Sequence, residues 1–203
     1  MTRSSRPAHP WPVRLCHWLN VAVMVAMVMS GWGIYNASPL FGFTFPPGAT
    51  LGGWLGGAIA WHLAVMWLLA ANALVYLLWG MVSGHLRRTL LPLSPRAILQ
   101  DTWRAVTLRL PHRLGHYNAV QKAMYLGVLL LGALLVLSGL AIWKPVQLSG
   151  LVALMGGFAV ARYVHFFAMS GVLLFVVIHV LMVLLVPKTL PAMITGGKEM
   201  SDE

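Results

Sequence analysis

The stretch from Val164 to Val180 reads VHFFAMSGVLLFVVIHV, and its reading decides the fold. It is apolar enough to lie in lipid, yet it carries His165 and His179. Imidazole is costly in hydrocarbon unless its ring nitrogens have partners, so an intramembrane histidine points to function. Fourteen residues of α-helix rise about 21 Å and leave the two side chains only about 40° apart around the axis. The pair therefore shares one helix face at two depths, a placement that predicts two stacked sites.

The rest of the chain fits a membrane setting. Of its 203 residues 59% are hydrophobic and 9% charged, with a mean hydropathy of +0.79. Soluble domains carry roughly a quarter charged residues. Four apolar stretches, at about 13–35, 54–82, 120–143 and 162–186, each approach the ~20 residues that cross a bilayer core. Without the alternation of a strand barrel, only helices satisfy a backbone in lipid. The expected fold is all-α: a single domain over residues 1–203, an integral membrane four-helix bundle. The first span is too long for a signal-peptide core and no A-x-A site follows SGWGIY, so it is expected to be retained.

The net charge of +10 follows the topology. Arg3, Arg6 and Arg14 stand before or at the start of the first span; Arg87, Arg88, Arg96, Arg104, Arg109, Arg113 and Lys122 fall between or just inside the second and third; Lys188 and Lys198 follow the fourth. The other two connectors hold only Lys144 and Arg162. This asymmetry is the positive-inside pattern and places both termini in the cytoplasm. A nucleic-acid partner would need a folded soluble basic face, and the sequence offers none. Trp32, Tyr35, Trp54, Trp143 and Tyr163 near the outer ends, with Trp11, Trp18 and Trp79 near the inner ends, read as interfacial belts. The lone Cys16 builds no disulfide, thiolate metal site or covalent haem attachment.

Each histidine of the fourth span needs a partner at its own depth. His17 lies in the first turns of a span that enters from the cytoplasm, and His62 in the outer part of the second span. Matching depths pairs His17 with His179 on the inner side and His62 with His165 on the outer side. Two imidazoles between helices are what iron porphyrin takes, and bundle cores commonly hold it. Zinc would want further ligands close by. The four acids are Asp101, Glu199, Asp202 and Glu203, all outside the spans. Haem iron held by His17, His62, His165 and His179 has no open position, which favours electron transfer over oxygen chemistry. His85 is a weaker fifth ligand candidate, rotated about 140° from His62 and close to the interface. His9, His112 and His116 lie outside the spans and read as ordinary polar residues.

Gly31, Gly33, Gly127, Gly132, Gly139 and Gly171 thin the helix surfaces, which serves either a flat macrocycle or close helix packing. SGWGIY at 30–35 and SGLAIW at 138–143 form a short internal echo that hints at two related hairpins. Arg14 on the inner side, with Arg162 and Lys144 on the outer side, are candidate partners for haem propionates, or simply flanking anchors.

RPAHPWPVRLCHWLN at the start, WH in the second span, GHYNAVQKAMY before the third and ARYVHFF…VVIHV in the fourth resemble the bacterial dihaem cytochrome b family. That family includes the membrane subunits of nickel-iron hydrogenases, formate dehydrogenases and thiosulfate reductases. The WKPVQLSGL connector and PKTLPAMITG tail look most like cytochromes that partner a sulfite-oxidase-like molybdopterin oxidoreductase. The resemblance implies two b-type haems on the four histidines and residence in the bacterial inner membrane. It implies electron transfer between quinone near the inner haem and a periplasmic oxidoreductase partner. It also makes Asn118, and less strongly Gln121, candidate quinone contacts; Asn118 reads equally well as the N-cap of the third span. Two alternatives stay open: a self-contained superoxide:quinone oxidoreductase, and a haem-free proton relay or transporter.

Overall fold

The computed structural model describes residues 9–90, 94–107, 118–185, 187 and 189–197. Arg3, Arg6, Arg109, Arg113, Lys188, Lys198, His112, His116 and Tyr117 lie outside them, as do Glu199, Asp202 and Glu203. In chain order the helices are α1 (Trp11–Ala37), α2 (Leu55–Val82), α3 (His85–Leu90), α4 (Pro95–Val106), α5 (Ala119–Trp143), α6 (Ser149–Leu154), α7 (Phe158–Leu185) and α8 (Thr189–Thr195). Four of them, α1, α2, α5 and α7, are long and apolar enough to span a membrane. The fold is all-helical, as the apolar stretches predict. Two compact units organise the chain, one over His9–Leu86 and the other over the described residues from Arg87 onward.

The first unit is a hairpin of α1 and α2. Pro10 and Pro12 flank Trp11 at the start of α1, where the missing N–H of proline costs no helical bond. Its connector is held by side chains of α1. The Asn36 amide brackets Phe45, donating to its carbonyl and accepting from its N–H, both at 2.8 Å. Trp32 stacks on Phe45 at 4.4 Å, and Tyr35, only 8% exposed, packs on Phe43 and Phe45. Trp32 and Tyr35 thus fasten the loop, whereas Trp54 is 75% exposed. Gly52 adopts φ +107°, and a Cβ there would collide with the main chain of Gly57 and Ala58. Farther along the hairpin, the buried Asn72 of α2 donates to the Cys16 carbonyl (2.9 Å) and to Asn20 Oδ1 (2.7 Å) of α1.

The second unit pairs α5 with α7 across a connector containing α6, with α4 packed on α5. Asn118 caps α5: its Oδ1 accepts from the Gln121 N–H at 2.9 Å, while Gln121 Oε1 accepts from the Asn118 N–H at 3.1 Å. Asp101 of α4 accepts from the Ala119 N–H at 3.0 Å. It also pairs with Arg104 at 3.3 Å. A carboxylate at the positive end of α5 is electrostatically favourable as well as a hydrogen-bond acceptor. Gly156 and Gly157, at φ +86° and +104°, turn the chain into α7. Leu99 and Trp103, one turn apart on α4, are both over 70% exposed.

Candidate haem site

His62 is the eighth of the 28 residues of α2, and His165 the eighth of the 28 residues of α7. Each sits near the connector of its hairpin, against the other helix of that hairpin. In the first unit Ser30 Oγ lies 3.0 Å from His62 Nδ1; in the second Ser138 Oγ lies 3.0 Å from His165 Nδ1. Both serines are fully buried. Each hydroxyl donates to the carbonyl four residues back, Ala26 or Leu134, at 2.7 Å. The serine hydrogen is therefore committed, and its oxygen acts as acceptor toward the imidazole. A carbonyl meets each ring as well: Leu135 O is 3.1 Å from His165 Nδ1, and His62 bonds the main chain of Met27.

These contacts decide the tautomer. At His165 the Leu135 carbonyl faces Nδ1 and can only accept, so that nitrogen carries the proton, and the matching serine contact at His62 Nδ1 points to the same form there. An Nδ1–H imidazole is the form that ligates iron through Nε2. The glycine after each serine lets the ring approach: a Cβ on Gly31 would lie 3.4 Å from His62 Cε1, and one on Gly139 3.2 Å from His165 Cε1. The expectation that glycines serve either cofactor clearance or helix packing resolves residue by residue. A Cβ on Gly33 would meet Ala58 at 2.9 Å and one on Gly171 would meet Leu131 at 3.1 Å, so these two pack helices. At Gly127 and Gly132 it would meet nothing within 4 Å.

The other two histidines lie farther from the connectors. His17 is thirteen residues before Ser30 on α1, a rise of about 20 Å, and His179 is about 21 Å along α7 from His165. Each hairpin so carries one histidine near its connector and one about 20 Å away. The His17 ring meets Trp18 edge-on at 5.2 Å, and His179 stacks on Phe175 at 6.0 Å. Where α7 has His179, at its twenty-second position, α2 has Tyr76. The hairpins share a plan but draw their second histidine from different helices.

Arginine stands one turn before a histidine twice, Arg14 before His17 and Arg162 before His165, each half-buried on the same side of its helix as that histidine. The Lys144 ammonium lies over the Trp143 ring at 4.7 Å. His85 begins α3 and packs on Trp79 at 5.1 Å. Asn118 and Gln121 form the reciprocal cap described above. Trp32 Nε1 is buried and finds no acceptor among the described residues, so a donor next to Ser30 and Gly31 is left for another group. The serine-oriented imidazoles, the flanking arginines and this indole N–H fit an anionic iron porphyrin. Sequence reasoning overlooked Ser30, Ser138 and the Trp32 donor, although the repeated Ser-Gly dipeptide was the available signal.

Residues 8–196 match the family model described as prokaryotic cytochrome b561, and the chain belongs to that family. It is a multi-pass membrane cytochrome of the b type, an electron-transfer protein. Among its relatives, a putative protein-methionine-sulfoxide reductase subunit YedZ1 of Azospira oryzae is 51% identical, over 97% of this chain and all of the relative. A probable Ni/Fe-hydrogenase B-type cytochrome subunit of Cupriavidus necator is 26% identical, over 83% of this chain and 75% of the relative. Its counterpart in Bradyrhizobium diazoefficiens is 27% identical over 67% of this chain and 57% of the relative. No solved structure matches the chain significantly.

Proposed function

We propose that the chain binds two b-type haems and carries electrons between quinone and an oxidoreductase on the periplasmic side of the bacterial inner membrane. Basic residues cluster at the open ends of the hairpins, which puts those ends and both termini in the cytoplasm. His62 and His165 would hold the periplasmic haem, and His17 and His179 the cytoplasmic one. The two hairpins together make the single cytochrome domain. The observation that carries this reading is the repeated one: each hairpin holds two histidines about 20 Å apart, and the one near the connector meets a buried serine at Nδ1.

When bound, each haem supplies one-electron exchange at iron without an open coordination site. The chain's own residues hold and orient it. Arg162 and the Trp32 N–H are donors to propionates of the periplasmic haem, with Lys144 near by, and Arg14 serves the cytoplasmic one. At the cytoplasmic end the Asn118 carbonyl oxygen caps α5, while its NH2 group takes no part in the cap and is the donor we assign to a quinone carbonyl, with Gln121 beside it.

The name of the Azospira relative supports a partner that reduces a methionine sulfoxide, and a molybdopterin centre in that partner is suited to the two-electron step. Electrons would then run from quinol to the periplasm. The test is a haem count on purified chain. Wild type should bind two, and His62→Ala and His165→Ala should each lose the same one. Two haems retained in both variants would overturn the ligand assignment.

A further inference from the structure

We propose that Ser30 and Ser138 are positioning residues that hold His62 and His165 as Nδ1–H tautomers and thereby lower the reduction potential of the periplasmic haem. The inference rests on the proposed ligand pairs and goes beyond them to what sets the electronics of one pair.

The two serines repeat one geometry in two separate units. Both lie at 3.0 Å from a histidine Nδ1, both are 0% exposed, and both return their own proton to the carbonyl four residues back. A second carbonyl contact is also shared, Met27 O at 3.1 Å from Ser30 Oγ and Leu135 O at 3.3 Å from Ser138 Oγ. A packing serine in an apolar helix would be satisfied by its own i−4 carbonyl alone. Here the hydroxyl is saturated as a donor and still faces a ring nitrogen, so it presents lone pairs.

The chemical consequence follows from the direction of that bond. An acceptor on Nδ1–H pulls the proton away from the ring and makes Nε2 a stronger donor to the metal. A more basic ligand favours ferric over ferrous iron, which lowers the potential. On the proposed pairing His62 and His165 would hold one haem, so the two serines would act on the same iron. Each serine shares its histidine with a carbonyl, so loss of one hydroxyl weakens the polarisation without releasing the tautomer.

The experiment is an optical redox titration of the purified full chain, wild type against Ser30→Ala, Ser138→Ala and the double variant. One hydrogen bond corresponds to about a two- to tenfold change in an equilibrium constant. Each single variant should keep two haems and favour reduction of the same haem by that factor, leaving the other component in place. The double variant should move it further. Unchanged midpoints with both haems retained would overturn the positioning role while leaving the ligand assignment standing. A wild-type preparation without haem would instead overturn the reading beneath it. Should an alanine variant fail to accumulate, 15N spectra of histidine in haem-free wild-type chain above pH 8 give the second test. They should report Nδ1–H for His62 and His165, and Nε2–H rings would refute the proposal.

Discussion

Gly139 faces His165 so closely that a Cβ at that position would lie 3.2 Å from the ring's Cε1. A ring already bonded at Nδ1 to Ser138 and Leu135 cannot retreat without stretching those bonds. Gly139→Ala should therefore displace the imidazole and reduce haem content below two per chain. Gly31→Ala, where the approach is 3.4 Å and an ordinary van der Waals contact, should leave haem content unchanged. Alanine favours a helix over glycine by about 1 kcal/mol, so neither variant should lose helix stability. Haem content by absorbance and unfolding in detergent, measured together, separate the two effects.

The Asn72 bridge makes a second prediction. Its NH2 group serves the Cys16 carbonyl and Asn20 Oδ1, and it is only 5% exposed. Asn72→Leu keeps much of the volume but strips both acceptors of their donor. Interhelical hydrogen bonds in membranes contribute about 0.6 kcal/mol on average and up to about 1.7. Losing two from one buried site should destabilise the α1–α2 hairpin by about 1–2 kcal/mol. Asn20→Ala, which removes one acceptor and leaves the Cys16 bond, should cost less. Denaturation in mixed micelles reads the difference.

The spans were legible because each is a long apolar run bounded by polar or Pro/Gly-containing segments, and α1, α2, α5 and α7 begin and end within four residues of the expected limits. Short elements were not: α3, α6 and α8 run only six or seven residues, too few turns for apolar periodicity to register, while the amphipathic α4 lies in a connector read only for its charges. At the candidate site, the spacing of His165 and His179 showed two levels, since rise and rotation are fixed per residue. The Ser30 and Ser138 contacts were hidden because they depend on the register between neighbouring helices, and a serine in an apolar run ordinarily bonds its own helix. Asn118 was readable both as a cap and as a quinone contact, and the cap is present.

His9, just ahead of α1, gives the pH dependence. Burial, and after it the Arg14 guanidinium, hold its imidazole below the ordinary histidine value of 6.5. A histidine whose folded pKa is depressed resists a proton that the unfolded chain accepts. Its contribution to stability is therefore complete above the unfolded value of about 6.5 and is lost as pH falls below it. His9→Gln should flatten the fall in stability between about pH 7 and pH 5 relative to wild type. An unaltered slope in paired denaturation curves would refute this.

Asn118 separates holding a helix from touching a substrate, because one side chain does the first with its oxygen and is assigned the second with its nitrogen. Oδ1 accepts from the Gln121 N–H at 2.9 Å, and loss of such a cap costs about 1 kcal/mol. Asn118→Ala removes both groups, so stability and quinone turnover should fall together. Asn118→Asp keeps an acceptor at the cap and adds charge favourable to the helix N-terminus. Its stability should match wild type, but it offers no N–H, and a carboxylate repels a quinone carbonyl. The expected outcome for Asn118→Asp is an undiminished unfolding transition, two haems per chain and a lower rate of haem reduction by quinol. Wild-type rates in that variant would confine Asn118 to its cap and move the quinone donor elsewhere.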